Sequence, residues 1–342
     1  MPVYGAVDAR ARHNDRMSES TAGSVRELLA GATEVTPIES AGKSGARLDR
    51  VVIDGERYVV KHLDPDADWT MRAAGVEGGA VLELWRRGIL ARLPDCLDQP
   101  IVGMAHEGVT VLLMRDVGDR LVPVSDDKVP LDQHLRFVHH MAALHAHFWE
   151  TELDIDVVPA HTRYLELSPR TAEREAALGS PPLVPRLIGE GWPLFARVAP
   201  RAAEVVVPLT HDPAPLVHAL AAGPGTLVHG NWKLDNLGTA VDGRTILLDW
   251  ETPGRGAGVS DLAWYLAINC RRLPQSKEAT IDAYRAALER HGVPTEEWWE
   301  RQLGLSLLGA LVQFGWEKAF SGYDDELAWW EERVLEAAPL LS

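Results

Sequence analysis

Residues 226–251 read TLVHGNWKLDNLGTAVDGRTILLDWE, and this stretch decides how the chain is interpreted. Two apolar runs, 226–228 and 245–248, are typical of short buried strands. Between them lies a polar loop with a histidine, two asparagines, a lysine and an aspartate, and the second run ends at Asp249. The stretch therefore predicts two strands joined by a loop that presents several polar side chains together.

The composition excludes several classes of protein. At 342 residues the chain can bury a sizeable core in one large or two smaller lobes. Its net charge of −16 argues against nucleic acid as a partner. Cys96 and Cys270 lack the spacing of a zinc site or a disulfide framework. We see no signal peptide and no apolar run long enough to span a membrane, and therefore expect a cytoplasmic protein.

The N-terminal part of the chain has the signals of an antiparallel sheet. Asp54-Gly55 is a strong hairpin signal between the segments 50–53 and 56–61, and Lys61 ends the second segment. Residues 109–114 are typical of a buried strand that leads into a connector ending at Gly118. We predict a tail over 1–23, an N-terminal lobe with a hinge over 24–118, and a C-terminal lobe over 119–342.

Gly42-Lys43-Ser44 invites comparison with a phosphate-binding P-loop. A P-loop needs an upstream glycine and a helix after the motif, whereas Pro37 stands at the upstream position and a strand is predicted over 48–53. A small-residue loop between two strands fits better, and such a loop can donate backbone N–H groups to nucleotide phosphates. A P-loop NTPase stays the weaker alternative.

Two further segments have helical spacing. Residues 70–93 carry the apolar stripe of one helix, in which Glu77 and Glu83 are the acidic residues of interest. Residues 131–150 predict a second helix with five histidines. No carboxylate completes a metal-binding set there, so we interpret these histidines as packed or exposed imidazoles.

The segment 226–267 resembles the aminoglycoside phosphotransferase and choline kinase superfamily, a branch of the protein-kinase-like fold. The matching residues are His229-Gly230, Asn236, Leu248-Asp249-Trp250-Glu251 and Asp261-Leu262-Ala263, with weaker matches at Lys61, 114–118 and 144–146. The resemblance implies an α+β, bilobal fold with a small N-terminal β-sheet lobe and a larger, mostly helical C-terminal lobe. It also implies ATP-dependent transfer of a phosphoryl group to a small-molecule hydroxyl.

The resemblance assigns roles on the nucleotide side. Asp249 and Asn236 would hold Mg²⁺, which prefers hard oxygen ligands. Lys61 would bind the phosphates of ATP, with Glu77 as the acidic partner that holds its side chain. The remaining predicted nucleotide-binding residues are Ser44 in the small-residue loop and Met114 and Asp116 at the hinge.

The catalytic loop departs from the family at one position. Asn231 stands where family members carry the aspartate that accepts or orients the proton of the acceptor hydroxyl. An amide accepts no proton at neutral pH, although it still holds a hydroxyl by a hydrogen bond. Asn231 therefore predicts a slow kinase, a non-catalytic nucleotide-binding pseudokinase, or a deliberate replacement of aspartate. His229 is predicted to brace the loop and Lys233 to assist the γ-phosphate.

The acceptor is predicted from the C-terminal segment 260–342. This segment holds 6 of the 12 tryptophans, with 14 acidic against 8 basic residues. An acidic, aromatic cleft would suit a small molecule such as an amino-sugar, a sugar or an amino alcohol. Packing in the core explains most of the tryptophans equally well. A peptide hydroxyl is the alternative acceptor, and the oligomeric state stays open.

Overall fold

The structure is a computed structural model that describes residues 21–38 and 44–341. Gly42 and Lys43 of the P-loop-like motif lie outside the described residues, as does the predicted tail up to residue 20. The described residues after Ser44 form a strand and not a helix, so the P-loop interpretation is wrong. The small-residue segment instead lies between two strands, as expected.

Strands and short helices make up the first third of the chain, and helices dominate the rest. The strands are β1 Thr33–Pro37, β2 Arg47–Ile53, β3 Glu56–Leu63, β4 Leu97–Asp98, β5 Ile101–Glu107, β6 Val109–Arg115, β7 Thr226–Val228, β8 Leu237–Thr239, β9 Thr245–Leu247 and β10 Gly254–Gly256. The α-helices are α1 Val25–Leu28, α2 Trp69–Ala74, α3 Ala80–Arg86, α4 Leu131–His147, α5 Ala160–Leu165, α6 Pro169–Ala177, α7 Leu183–Val198, α8 Pro200–His211, α9 Ala214–Ala221, α10 Val259–Ile268, α11 Lys277–Arg290, α12 Trp299–Lys318 and α13 Asp325–Ala337.

Five antiparallel strands form the N-terminal sheet in the order β1-β2-β3-β6-β5. The β2–β3 hairpin turns at Asp54 and Gly55, both of which have positive φ, as the sequence predicts. Along β3 the side chains alternate between the two faces of the sheet. Val60 packs in a small cluster with Val51 and α1, whereas Lys61 is directed to the opposite face.

The predicted helix over 70–93 is in fact two helices, α2 and α3. Gly75 closes α2 with φ of 66°, and Gly78 and Gly79 follow with φ of 72° and 90°. Left-handed backbone is inexpensive for glycine and costs other residues free energy, so three glycines within five residues end the helix. Glu77 lies in this break and is exposed.

The C-terminal lobe is organised around α12, which is buried over most of its length. Helices α7, α8, α10 and α13 pack around it, and α4 packs against α11. Most of the C-terminal tryptophans belong to this core, although Trp298 and Trp329 are only half-buried. No helix in the described part of the chain is long and apolar enough to cross a membrane.

Two small sheets of the C-terminal lobe hold the polar loop. β7 pairs with β10, and β9 lies between β8 and β4. Strand β4 belongs to the segment predicted as the N-terminal lobe, but it pairs with β9 of the C-terminal lobe. Backbone hydrogen bonds therefore join the two lobes at a point that precedes the connector at 116–118 in the chain. The boundary near residue 118 stays a prediction.

A buried ion pair also joins the lobes. Arg72 of α2 donates to both carboxylate oxygens of Glu175 in α6, at 3.0 and 2.5 Å. The Glu175 side chain is 1% exposed. A forked guanidinium–carboxylate contact of this kind fixes both the distance and the angle between two helices.

Candidate active site

The backbone of the polar loop after β7 is held by one carboxylate. Asp261 accepts hydrogen bonds from the backbone N–H groups of His229 (2.6 Å) and Gly230 (2.8 Å). Burial opposes ionisation of Asp261, but its contact with His145 outweighs burial and keeps the pKa of Asp261 below its ordinary value. Asp261 lies inside the first turn of α10, where it fixes the loop.

Gly230 allows this loop to lie close to the following segment. Its φ is 77°, and a Cβ atom there would overlap the backbone carbonyl of Thr252. His229 accepts a hydrogen bond at Nδ1 from the backbone N–H of Asn231, at 3.2 Å. Burial lowers the pKa of His229 to about 4, so the ring is neutral at pH 7. These contacts suit the bracing role predicted for His229.

Asn231 is oriented by a carboxylate from the end of the same sequence motif. Its Nδ2 donates to Glu251 Oε2 at 3.2 Å. With its NH₂ group directed to Glu251, the amide keeps Oδ1 as a hydrogen-bond acceptor. Burial raises the pKa of Glu251, with the charge of Asp249 adding to the effect and that of Lys61 opposing it.

Asn236 and Asp249 are brought together by backbone hydrogen bonds. The backbone N–H of Leu248 donates to the carbonyl of Asn236 at 3.0 Å. The side-chain Nδ2 of Asn236 donates to the carbonyl of Asn231 at 3.0 Å, which leaves its Oδ1 as an acceptor. Asp249 has φ of 61°, a conformation that non-glycine residues rarely adopt and that recurs at functional sites. A carboxylate and an amide oxygen fit the few protein ligands that Mg²⁺ takes.

The side chain of Lys61 approaches Asn236 and Asp249 from the N-terminal lobe. Its Nζ lies 2.7 Å from Asp249 Oδ1 and 3.5 Å from Glu251 Oε1. Burial alone would lower the pKa of Lys61, but the charges of Asp249 and Glu251 outweigh burial and hold the pKa above its ordinary value. Burial likewise opposes ionisation of Asp249, and the charges of Lys61 and Lys233 keep its pKa low.

The predicted acidic partner of Lys61 is wrong. Glu77 is exposed in the break between α2 and α3, because the glycines around it end the helix that would have carried it inward. The alternative, Glu83, forms ion pairs with Arg86 and Arg87 on α3. The carboxylates that hold Lys61 come from the C-terminal lobe, 188 residues away in the case of Asp249.

The remaining predicted nucleotide-binding residues fall into two groups, one that lines the cleft between the lobes and one that does not. Met114 lines the cleft between the lobes, together with apolar residues such as Ile101, Leu112 and Val81. Asp116 does not line it, since its carboxylate pairs with Arg50 at 2.9 Å and its backbone N–H donates to the carbonyl of Arg57. Ser44 is close in space to the start of α2, because its backbone carbonyl accepts a hydrogen bond from the backbone N–H of Trp69 at 3.2 Å.

Lys233 is half-buried, and its positive charge acts on the pKa values of Asp249, Glu251 and the buried Glu166. It is therefore close to the centre of the site. Asp235, the nearest acidic residue to Asn231 within the polar loop, is 51% exposed and lies 3.8 Å from Arg272. It is directed away from the site and does not replace a missing base.

Sequence reasoning missed two buried acidic residues, Asp68 in the cleft and Glu166, whose pKa is affected by the charges of the site. Asp68 caps α2 through Oδ1, while its buried Oδ2 has no hydrogen-bond partner among the described residues. Burial raises the pKa of Glu166 to about 8, helped by the charge of Glu251. Aspartate is a preferred residue at the N-cap of a helix, so Asp68 was detectable in principle. Glu166 lies in an unpatterned segment and carries no such signal.

The histidines of α4 are packed or exposed, as expected: His134 and His145 are buried, and His147 is exposed. His134 contacts the hydroxyls of Tyr265 and Thr280, and His145 contacts Tyr284 and Asp261. Over residues 21–38 and 44–341 no group of three or more His, Cys, Asp or Glu side chains is arranged to hold a metal ion. A pair of oxygen ligands such as Asn236 and Asp249 is a different kind of site.

The chain matches no protein-family model and no curated protein sequence. Solved structures do match. A thermostable mutant of the aminoglycoside phosphotransferase APH(4)-Ia, in a ternary complex with AMP-PNP and hygromycin B, is 15% identical with a TM-score of 0.50, over 92% of this chain and 96% of that one. Choline kinase LicA from Streptococcus pneumoniae is 12% identical with a TM-score of 0.49, over 92% and 96%. An aminoglycoside phosphotransferase from Alicyclobacillus acidocaldarius is 14% identical with a TM-score of 0.44, over 91% and 90%.

The fold of this chain is therefore the bilobal, protein-kinase-like fold of the aminoglycoside phosphotransferases. This confirms the predicted α+β architecture, with a small antiparallel sheet in the N-terminal lobe and a larger helical part. At such low identity the likeness shows the fold alone, and the chemistry must be argued from the residues.

Proposed function

We propose that this chain is an ATP- and Mg²⁺-dependent O-phosphotransferase whose acceptor is a hydroxyl of a small molecule. One observation carries the proposal: Lys61 Nζ lies 2.7 Å from Asp249 Oδ1, across the cleft between the lobes. The contact brings a buried cation to a carboxylate with unusual backbone geometry. Phosphoryl transfer requires both groups, since catalysis consists largely of positioning and of stabilising phosphate charge.

The residues that line the cleft indicate how the phosphoryl donor would bind. Its apolar walls suit a purine ring, and the similar aminoglycoside phosphotransferase structure contains AMP-PNP. Asp249 and Asn236 would hold Mg²⁺, and the ion would neutralise charge on the phosphates. Lys61 would then bind phosphate oxygens, with Lys233 as a second cation close by.

The acceptor side follows from Asn231. With Nδ2 bound to Glu251, Oδ1 is available to accept a hydrogen bond from the acceptor hydroxyl. The amide would orient the attacking oxygen without taking its proton. General-base assistance contributes about 10²–10⁴-fold in typical enzymes, so its absence predicts slow turnover. An amino-sugar, a sugar or an amino alcohol is the proposed acceptor class, in line with the hygromycin B and choline kinase structures that the chain resembles.

A non-catalytic nucleotide-binding pseudokinase is the second candidate. The hydrogen bond between Asn231 and Glu251 favours it, because it ties the residue at the catalytic position to a neighbouring side chain. This candidate shares the nucleotide site of the kinase and differs only in phosphoryl transfer. A kinase of peptide hydroxyls is a variant of the first proposal with another acceptor.

Two measurements test the proposal in order. We expect Mg·ATP to raise the melting temperature of the wild type and to have no effect on Asp249→Ala; a wild type that Mg·ATP leaves unchanged would contradict both candidates. Transfer of the γ-phosphate is then measured across sugars, aminoglycosides, amino alcohols and peptides. Transfer to a small molecule supports the kinase, and nucleotide binding without any transfer supports the pseudokinase.

A further inference from the structure

The carboxylate at the start of α2 has no part in the function proposed so far. Asp68 is 1% exposed and lines the same cleft as Lys61 and Asp249. Its Oδ1 accepts hydrogen bonds from the backbone N–H groups of Thr70 (2.9 Å) and Met71 (3.3 Å) and from the Thr70 hydroxyl (2.6 Å). Its buried Oδ2 has no partner among the described residues. Such an oxygen is costly to bury and calls for an explanation.

Lys61 is the cation that interacts electrostatically with the Asp68 carboxylate. The charge of Asp68 adds to the effects that raise the pKa of Lys61, after burial, which lowers it, and the larger effects of Asp249 and Glu251. In the structure the ammonium group is held by Asp249 and Glu251. Neither carboxylate predicted to hold it from the N-terminal lobe does so, because Glu77 is exposed and Glu83 pairs with arginines.

Nucleotide binding would change which carboxylates are available to Lys61. In the function proposed above, Asp249 becomes a ligand of Mg²⁺, so its hold on Lys61 weakens while the lysine turns to the phosphates. A buried ammonium group needs a fixed counter-charge, because desolvation without one is expensive. A carboxylate of the lysine's own lobe that Mg²⁺ does not take as a ligand meets this need.

We propose that Oδ2 of Asp68 holds Lys61 in the nucleotide-bound state, in the role predicted for Glu77. The inference rests on the proposed function. Asp68 is then a positioning residue that acts on the phosphates through Lys61. Three donors fix Oδ1, so the carboxylate cannot rotate away, and Oδ2 keeps one direction. The start of α2 is also fastened to the small-residue loop by the hydrogen bond from Trp69 to Ser44.

Asp68→Asn is the sharpest test, because asparagine caps a helix about as well as aspartate does and removes only the charge. The probe is AMP-PNP, titrated with and without Mg²⁺. We expect the dissociation constant with Mg²⁺ to rise about tenfold, which is the low end of the loss seen when an outer partner of a ligating group is removed. Without Mg²⁺, Asp249 still holds Lys61, so we expect a change of less than about threefold.

The controls separate positioning from folding. Glu77→Gln removes the residue first predicted for this role and should leave both dissociation constants unchanged. Asp68→Ser supplies a second capping residue without charge and should behave as Asp68→Asn does. Thr70→Val removes one donor to Oδ1 but keeps the carboxylate, so it reports on the cap alone.

Three results would overturn the inference. If Asp68→Asn and Asp68→Ser bind Mg·AMP-PNP as the wild type does, Asp68 does not hold Lys61. If they lose affinity equally with and without Mg²⁺, or if Thr70→Val loses as much, the role is structural. If the wild type itself does not bind Mg·AMP-PNP, the proposed function fails first and takes the inference with it.

Discussion

The two sides of the cleft differ in how completely their charges are matched. On the nucleotide side, Lys61 is paired with Asp249 and Glu251, and Asn236 is fixed by hydrogen bonds. On the side proposed for the acceptor, Asn231 brings no charge of its own and is held by a hydrogen bond to Glu251. The comparison predicts that the proposed phosphate site is complete without an acid at position 231.

Removing the nucleotide side should have the largest effect. We expect Asp249→Ala to lower any phosphoryl transfer by at least about a thousandfold, because it removes the proposed metal ligand and the partner of Lys61 together. The measurement is ADP release in the presence of the best acceptor. Asp242→Ala is the matched control, since Asp242 is a surface partner of Arg244 and should leave the rate unchanged. Equal rates in the two variants would contradict the assignment of Asp249.

Breaking the ion pair between the two lobes should have the next largest effect. Arg72→Ala leaves the carboxylate of Glu175 buried without its forked partner. We expect the free energy of unfolding in urea to fall by about 3 kcal/mol, as for other broken buried pairs. Arg136→Ala is the control, because Arg136 pairs with the exposed Asp132 at 3.8 Å and should cost less than about 1 kcal/mol.

A double variant sharpens that result. Replacing Arg72 and Glu175 together by methionine removes both charges, so we expect most of the lost stability to return. A double variant that is as unstable as Arg72→Ala would show that the contact matters through packing and not through the stranded carboxylate.

Repairing the acceptor side should raise the rate. We expect Asn231→Asp to increase phosphoryl transfer about tenfold or more, since it supplies a base next to Glu251, whose negative charge favours proton uptake. The rate is measured with an acceptor that binds the wild type. Asp235→Asn serves as the control because Asp235 is directed towards Arg272. If Asn231→Asp gives no increase, the slow-kinase proposal loses its support in favour of the pseudokinase.

The smallest effect, a change in the pH dependence of stability, is expected from Glu166→Gln. The pKa of Glu166 is about 8 in the folded protein and lies near its ordinary value of 4.5 when unfolded. Between these values the folded state binds one more proton than the unfolded state, so stability falls as pH rises. Glutamine has no proton to lose. We expect the stability of the variant relative to wild type to increase by about 1 kcal/mol between pH 5 and pH 8, measured by urea unfolding.

Local sequence signals predicted the parts of the fold that local backbone decides. Asp54-Gly55 turns the β2–β3 hairpin because both residues adopt positive φ, and 109–115 forms the buried strand β6. Residues 226–251 form the strands and the polar loop almost as expected. A contiguous motif carries its own geometry, which is why the strands and the polar loop between them could be predicted.

The misses share a different cause. Glu77 was assigned from the periodicity of one long helix, and the glycines that divide that helix outweighed its apolar stripe. The contacts of Lys61 with Asp249 and of Asp261 with Gly230 join residues distant in sequence, so only the assembled lobes reveal them. Asp116 was assigned by its place after a strand, but two nearby arginines hold its carboxylate.

A calorimetric titration of Mg·AMP-PNP into the wild type, Asn231→Asp and Asp249→Ala tests most directly whether the two sides are independent. We expect the first two proteins to bind with dissociation constants within about threefold of each other, and Asp249→Ala to show no binding that depends on Mg²⁺. A wild type that does not bind, or one that binds only after Asn231→Asp, would contradict the view that the nucleotide side is complete without the acceptor-side acid.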